Sequence, residues 1–185
     1  MPPKPWDIIS SKVEGSFGIF SLRRNRARSN RTAREHDFII LESPPWVNVI
    51  PLTIDDKVVM IRQWRHGIDQ DTLEIPGGVV EHGDTLLQAA HRELREETGY
   101  VAREMIPLGF VHPNPAFLDN RCYTYLAKGV TLNGSQELDD KEDIEIVLVP
   151  ISEVPDLLRN GVITHSLIAV AFYRYFMEYR SHAPD

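Results

Sequence analysis

The segment from Gly77 to Tyr100 constrains the fold more than any other part of the sequence. Within it, residues 85–98 carry apolar side chains three and four positions apart, which is the spacing of an amphipathic helix. Asp84 is predicted to cap the N-terminus of this helix, and Gly99 stands where a C-cap glycine is common. A pair of glycines precedes the helix and lets the backbone approach another group closely. The segment therefore predicts a tight turn that leads into one well-defined helix.

Three glutamates crowd the last turns of the predicted helix. Glu93 and Glu97 are four positions apart and share one face, and Glu96 lies beside them. Negative charge at the C-terminal end of a helix opposes the helix dipole and costs roughly 0.3–1 kcal/mol per charge. Arg92 and Arg95 offset part of this charge, and a divalent cation that prefers oxygen ligands, such as Mg²⁺, would offset the rest. The alternative is a charged helix face that is exposed to solvent.

The order of these residues resembles the Nudix box, which reads Gly, five residues, Glu, seven residues, Arg-Glu, an aliphatic residue, any residue, Glu-Glu, any residue, Gly, and an aliphatic or aromatic residue. Gly78 opens the pattern here and Tyr100 closes it. One position departs, because Asp84 stands where the family has Glu. The resemblance implies a Nudix pyrophosphohydrolase with an α+β fold, in which a mixed β-sheet lies between α-helices and follows an N-terminal β extension.

The resemblance also implies a metal site. In similar proteins the residues at Glu93 and Glu97 ligate Mg²⁺, with Mn²⁺ as a possible substitute. Glu96 joins or bridges the ions, and the carbonyl group of Gly77 completes the ligand shell. Arg92 holds the glutamates in place, so it is counted with Glu96 among the catalytic residues.

The general base is expected in an acidic loop that follows the box, as in relatives that hydrolyse ADP-ribose. The acids of this loop are Asp139, Asp140, Glu142, Asp143 and Glu145. Glu142 is the preferred candidate because it almost adjoins the strand predicted from Ile144, and Asp140 is the alternative. A loop that is acidic only for solubility is the competing interpretation.

Features outside the box resemble the ADP-ribose pyrophosphatase and nucleoside diphosphate sugar hydrolase subgroup. Pro115 falls fifteen residues after the box, as in that subgroup, although a turn proline would look the same. Arg65 is predicted to contact a phosphate with two hydrogen bonds, and Glu74 to add a polar contact. The expected reaction is hydrolysis of the pyrophosphate bond of ADP-ribose or a related nucleoside diphosphate sugar, which yields a nucleoside monophosphate and a sugar phosphate.

The chain is predicted to have an N-terminal strand extension, residues 1–43, and a Nudix domain, residues 44–185. In similar enzymes such an extension exchanges with a second subunit, so a homodimer is expected, with or without exchanged strands. Trp46 and Phe38 are candidates to stack on a base. The run from Arg23 to Arg34 contains no acid and predicts a basic connector, whose Arg28 either reaches the partner's phosphates or is solvated.

Bulk properties restrict the other possibilities. The net charge of −7 disfavours nucleic acid as a partner. Residues 1–6 contain prolines and no apolar run, unlike a secretory signal, and no stretch approaches the ~20 apolar residues of a membrane span. The sequence therefore predicts a cytoplasmic protein without a membrane segment.

Two other functions remain open. The box is common to Nudix hydrolases of GDP-mannose, dinucleoside polyphosphates and NADH, so it does not choose the substrate. A catalytically silent Nudix domain that senses a nucleotide is the second alternative, although such domains usually lack the glutamates that are present here.

Overall fold

A computed structural model of the chain describes residues 2–179. The strands in chain order are β1 (Trp6–Ser16), β2 (Ser21–Ser29), β3 (Glu35–Glu42), β4 (Trp46–Leu52), β5 (Lys57–Arg65), β6 (Gln70–Glu74), β7 (Gly77–Val79), β8 (Tyr100–Val101), β9 (Glu104–Val111), β10 (Cys122–Lys128), β11 (Thr131–Leu132) and β12 (Ile144–Pro150). The helices are α1 (Leu86–Thr98), α2 (Val154–Arg159) and α3 (Ser166–Tyr173), and a π-helix, Arg174–Tyr179, continues α3.

The chain forms two compact units. The first takes in the described residues up to Pro44 together with His112–Arg121, and the second takes in Pro45–Val111 and the described residues from Cys122 onward. The first unit contains an antiparallel sheet of β1, β2 and β3. The predicted domains meet one residue earlier and leave His112–Arg121 in the second domain. Met1 and residues 180–185 of those domains lie outside the described residues.

The second unit is built on a mixed sheet. Its strands run in the order β12-β5-β4-β10-β9, and β6 and β7 pair with β5 and β4. β4 and β10 are parallel, whereas the other pairings are antiparallel. A separate two-stranded ladder joins β8 and β11. This arrangement confirms the predicted α+β class with a mixed sheet.

Apolar side chains cover both faces of this sheet. On β4, Val49 belongs to a core cluster with Leu94 of α1, whereas the next residue, Ile50, belongs to a second cluster with Phe172 of α3. Because neighbouring residues of a strand point to opposite faces, the sheet lies between α1 on one side and α2 with α3 on the other. The predicted placement of the sheet between helices is therefore confirmed.

The prediction of a basic connector over Arg23–Arg34 is wrong, because most of this run is strand β2. Arg24 binds Glu14 of β1 with 3.1 Å between Nε and Oε1, and Arg28 binds Glu35 of β3 with 2.7 Å between Nη2 and Oε1. The acids that pair with these arginines lie on the two neighbouring strands, β1 and β3. The composition of the run itself could not reveal them.

Helix α1 begins at Leu86, and Thr85 rather than the predicted Asp84 caps it. The hydroxyl of Thr85 accepts a hydrogen bond from the backbone N–H of Gln88, and the side-chain oxygen of Gln88 accepts one from the backbone N–H of Thr85. This reciprocal pair is a capping box, which satisfies two N–H groups at the start of the helix. The Asp84 carboxylate binds Arg92 instead, with 3.1 Å between Oδ2 and Nε.

The C-terminal helical segment consists of two parts. It begins at Ser166 with His165 as its N-cap, and changes to a π-helix at Arg174. Among the helices of residues 2–179, none is both long and apolar enough to cross a membrane.

Replacement of Gly99 is expected to destabilise the second unit. Gly99 ends α1 in the left-handed conformation with φ of 71°, and a Cβ there would collide with the carbonyl oxygen of Gly134. Gly99→Ala should therefore lower the free energy of unfolding by about 2 kcal/mol or more in urea denaturation. Gly67→Ala is the matched control, since a Cβ there meets nothing within 4 Å. Equal losses from both variants would contradict this account of Gly99.

Candidate active site

Two carboxylates of α1 lie against the backbone of the glycine pair on β7. The N–H of Gly77 donates to Oε2 of Glu97 at 2.8 Å. At Gly78 a Cβ would lie 2.6 Å from Oε1 of Glu93 and 2.7 Å from its Oε2. A Cβ at Gly78 would thus collide with the carboxylate of Glu93, and a Cβ at Gly77 would collide with the carbonyl oxygen of Val47. The glycines therefore permit strand and carboxylates to meet.

Arg92 binds three groups that converge on this point. Its Nη1 donates to Oε1 of Glu93 at 2.9 Å and to Oε2 of Glu96 at 3.1 Å, and its Nη2 donates to the carbonyl of Val79 at 3.0 Å. Its Nε donates to Asp84, which directly precedes the N-cap of α1. The guanidinium therefore connects the start of the helix with its last turns. The rigid fork of arginine suits such a role, since it fixes the orientation of each carboxylate.

Burial has a large effect on the acidity of these groups. The exposed fraction is 8% for Glu93 and 4% for Glu97. Burial raises the pKa of Glu93 to about 7, with Arg92 opposing the rise, and raises the pKa of Glu97 to about 8, with the Gly77 N–H opposing it. The charge of Glu142 adds to both rises. The acidic loop therefore brings Glu142 within electrostatic range of both carboxylates.

Arg65 of β5 and Glu74 of β6 form a second charged group. The Nε and Nη2 atoms of Arg65 donate to Oε1 and Oε2 of Glu74, each at 2.7 Å. Only 2% of Glu74 is exposed, and His165 lies 4.0 Å from its Oε2. Both carboxylate oxygens of Glu74 are thus bonded to Arg65, and the polar contact of Glu74 with substrate stays a prediction. The hydrogen bonds to Glu74 are the main cause of the raised pKa of Arg65, and the charge of Glu97 adds to it.

The remaining predicted substrate residues lie in different places. Trp46, half-buried, begins β4 between Val79 of β7 and Cys122 of β10. In the first unit, Arg28 is bound to Glu35 on the exposed side of β2. Pro115, also of the first unit, lines a cavity of about 340 Å³. The other residues that line this cavity are Arg23, Ile40, His112, Ala116, Phe117, Leu118 and Asp119.

The donor set around α1 fits a divalent cation, although it is not preassembled. Within residues 2–179, no three His, Cys, Asp or Glu side chains are grouped as ligands of one ion. Glu93 and Glu97 are instead occupied by Arg92 and by the Gly77 N–H. Two buried carboxylates with raised pKa values are nevertheless the oxygen ligands that Mg²⁺ prefers, and a cation would remove their mutual repulsion.

Sequence reasoning missed two residues that the fold brings to this region. His165 is the N-cap of α3, and its Nε2 lies 4.0 Å from Oε2 of Glu74. Gln136 lies just before the acidic loop and binds the end of α1, with 2.7 Å from Nε2 to the carbonyl oxygen of Glu97. Both contacts join positions more than 30 residues apart in sequence. No local spacing could have indicated them.

Comparison with known proteins agrees with this geometry. A NUDIX domain model matches residues 43–168. The chain is 30% identical to an ADP-ribose pyrophosphatase of Bacillus subtilis, over 71% of this chain and 72% of that relative. It is 32% identical to a methanol dehydrogenase activator of Bacillus methanolicus, over the same shares of the two chains, 71% and 72%. A crystal structure of an ADP compounds hydrolase superposes with a TM-score of 0.82 at 20% identity and covers 94% of both chains, which shows the similarity of fold.

Magnesium is expected to stabilise the protein more at high pH than at low pH. Glu93 and Glu97, with pKa values of about 7 and about 8 against an ordinary 4.5, bind more protons folded than unfolded. The metal-free protein should therefore lose stability as pH rises from about 4.5 to about 8, since its buried carboxylates become charged. Mg²⁺ binds the deprotonated form of these carboxyl groups. The rise in Tm that millimolar Mg²⁺ causes should therefore be larger at about pH 8.5 than at about pH 6.

The matched variant for this measurement is Glu97→Gln, which removes the carboxylate with the higher pKa. It should reduce both the loss of stability with pH and the effect of Mg²⁺. An increase in Tm on Mg²⁺ addition that is the same at both pH values would argue against these carboxylates as ligands.

Proposed function

We propose that this chain, which belongs to the Nudix family, hydrolyses the pyrophosphate bond of ADP-ribose or a closely related nucleoside diphosphate sugar and depends on Mg²⁺. The products would be a nucleoside monophosphate and a sugar phosphate. The observation that carries the proposal is a pair of buried carboxylates, Glu93 and Glu97. They lie against the backbone of Gly77 and Gly78, and Arg92 donates a hydrogen bond to Glu93. The pyrophosphohydrolase class follows from the family and its ADP-ribose pyrophosphatase relative.

Glu93 and Glu97 would hold the metal, with Glu96 and the carbonyl of Gly77 as further ligands. Mg²⁺ would neutralise charge on the phosphates and polarise the phosphoryl oxygens. Arg92 contributes by orientation, because its bonds to Glu93 and Glu96 restrict how these carboxylates can turn. Mn²⁺, which also accepts carboxylate oxygens, is the expected substitute.

Glu142 is proposed as the general base that takes a proton from the attacking water. Its charge raises the pKa of both Glu93 and Glu97, which supports a position facing the cluster. The carboxylate is exposed and accepts a hydrogen bond from the Asp139 N–H at 3.1 Å, which defines its position in the loop. Asp140 remains the alternative base.

The choice of a nucleoside diphosphate sugar rests on three features. Arg65 places a guanidinium within the electrostatic influence of Glu97, where it can contact a phosphate. Pro115 lines a cavity with Arg23 and His112, which offers polar and apolar surface to a ligand. The relative from Bacillus subtilis carries the name ADP-ribose pyrophosphatase. The cytoplasm is the proposed compartment.

We further propose that the protein is a homodimer that uses the sheet of the first unit. Trp6, Ile8 and Phe38 share the face of this sheet on which Ala27 lies, and each of the three is more than 40% exposed. Trp6 packs edge-to-face on Phe38 with ring centroids 5.2 Å apart. A contiguous apolar face of this kind is typical of an interface, whereas the opposite face carries Arg24, Arg26 and Arg28 of β2.

Disruption of the apolar face is expected to yield monomers. Replacing both Trp6 and Ile8, as Trp6→Ser with Ile8→Asp, removes apolar area and adds charge, so light scattering should report the mass of one chain. Arg26→Gln on the opposite face is the control and should leave the dimer intact. A wild-type protein that is monomeric at micromolar concentration would refute the dimer without affecting the hydrolase proposal.

Loss of one metal-binding carboxylate is expected to abolish most activity. Glu97→Gln keeps the size of the side chain but removes its charge, so turnover of ADP-ribose with Mg²⁺ should fall by about 100-fold or more. The measurement is release of AMP, together with circular dichroism to verify folding. Glu153→Gln is the control, since Glu153 is exposed and makes no side-chain hydrogen bond at the start of α2.

A panel of substrates separates this proposal from its alternatives. ADP-ribose, ADP-glucose, GDP-mannose, a dinucleoside polyphosphate and NADH should be compared at equal concentration, and ADP-ribose is expected to give the highest kcat/KM. A higher value for another member would transfer the function to that substrate. No turnover of any member, with nucleotide binding retained, would indicate a nucleotide-sensing domain.

A further inference from the structure

A single side chain closes the loop that carries the proposed general base. In the structure the acidic loop comprises residues 137–143, because Glu145 belongs to β12, which begins at Ile144. Gln136 directly precedes the loop. The side-chain nitrogen of Gln136 donates to the carbonyl of Ile144 at 3.1 Å and to the carbonyl of Glu97 at 2.7 Å. Gln136 therefore ties both ends of the loop to each other and to the helix that carries the carboxylates.

Backbone contacts on either side of Gln136 support the same attachment. The N–H of Asn133 donates to the carbonyl of Gly99 at 2.9 Å, and the N–H of Glu137 donates to the carbonyl of Glu96 at 2.8 Å. These bonds satisfy carbonyl groups at the end of α1 that have no partner within the helix. Residues 133–137 thus cap the C-terminal end of α1. Among them, Gln136 also contacts β12 through its side chain.

The amide group of Gln136 suits this position for a chemical reason. Its nitrogen has two N–H donors, and the two carbonyl oxygens accept one each. A glutamate would present only acceptors to two carbonyls when it is ionised, and a leucine would present none. Either change leaves partly buried carbonyl groups without these bonds.

We propose that Gln136 is a positioning residue, which keeps the acidic loop closed so that Glu142 faces Glu93 and Glu97. The inference rests on the proposed function, in which a proton passes from the attacking water to the Glu142 carboxylate. Because general-base catalysis requires the base within hydrogen-bond reach of the water, release of the loop lowers the rate of the chemical step. Binding of the substrate and of Mg²⁺ does not require this closure.

The experiment compares Gln136→Leu and Gln136→Glu with Glu137→Gln. The Glu137 side chain is exposed and meets Arg95 at 3.5 Å, so this neighbouring change alters a loop side chain without touching the closure. For each variant, kcat and KM are measured with ADP-ribose and Mg²⁺, and hydrogen exchange is followed at the amides of residues 138–143. The Mg²⁺-induced rise in Tm reports whether the metal ligands are intact.

Both Gln136 variants should show faster amide exchange in the loop. We expect a kcat lower by about 10- to 100-fold, a KM within about twofold of wild type, and an unchanged Mg²⁺ effect on Tm. Glu142→Gln should lose at least as much turnover, since it removes the base itself. Glu137→Gln should stay within about twofold of wild type in kcat. If Gln136→Leu does not fold, the same measurements on Gln136→Glu decide the result.

Several outcomes would overturn the proposal. These are unchanged exchange of the loop, an unchanged kcat, an effect on KM alone, or an equal loss of kcat in Glu137→Gln. Absence of turnover by the wild-type enzyme would instead refute the proposed function. The exchange comparison would then still decide whether Gln136 closes the loop.

Discussion

The architecture of the site depends on keeping two carboxylates buried at the negative end of one helix. Glu93 and Glu97 lie in the last turns of α1, where the helix dipole, their mutual repulsion and the loss of water all oppose ionisation. The chain compensates with Arg92 and with the N–H of Gly77. The raised pKa values indicate that this compensation is incomplete. A cation would complete it, which is why the same feature that weakens the metal-free protein favours a metal site.

This constraint extends to the strand and the loop around α1. β7 must bring its backbone against the carboxylates, and a Cβ at either of its glycines would meet Glu93 or the backbone of β4. The last carbonyl groups of α1 must also be satisfied, and the segment before the acidic loop supplies the donors. The proposed metal ligands and the proposed base are thus carried by elements that are bonded to the same helix end.

The part of the site that the sequence predicts is the part that a single helix contains. Positions three and four apart on a helix face one another whatever the rest of the fold does, so Arg92, Glu93, Glu96 and Glu97 could be grouped from their spacing. The α+β class likewise followed from this one segment, through its resemblance to the Nudix box. The sequence did not reveal the acids that face the arginines of β2, because these pairs depend on the register between strands. The contact of Gln136 with Ile144 depends in the same way on tertiary packing.

The pair of Arg65 and Glu74 shows a contact that residue type alone did not predict. A guanidinium has five N–H donors, and the bonds to Glu74 use the edge formed by Nε and Nη2. A phosphate bound by Arg65 would therefore approach the other side of the guanidinium. Because Glu74 is buried and bonded through both oxygens, it fixes the direction of the Arg65 guanidinium. The negative charge of Glu74 also reduces the net charge of the pair, so any selectivity of Arg65 for phosphate would come from geometry more than from charge.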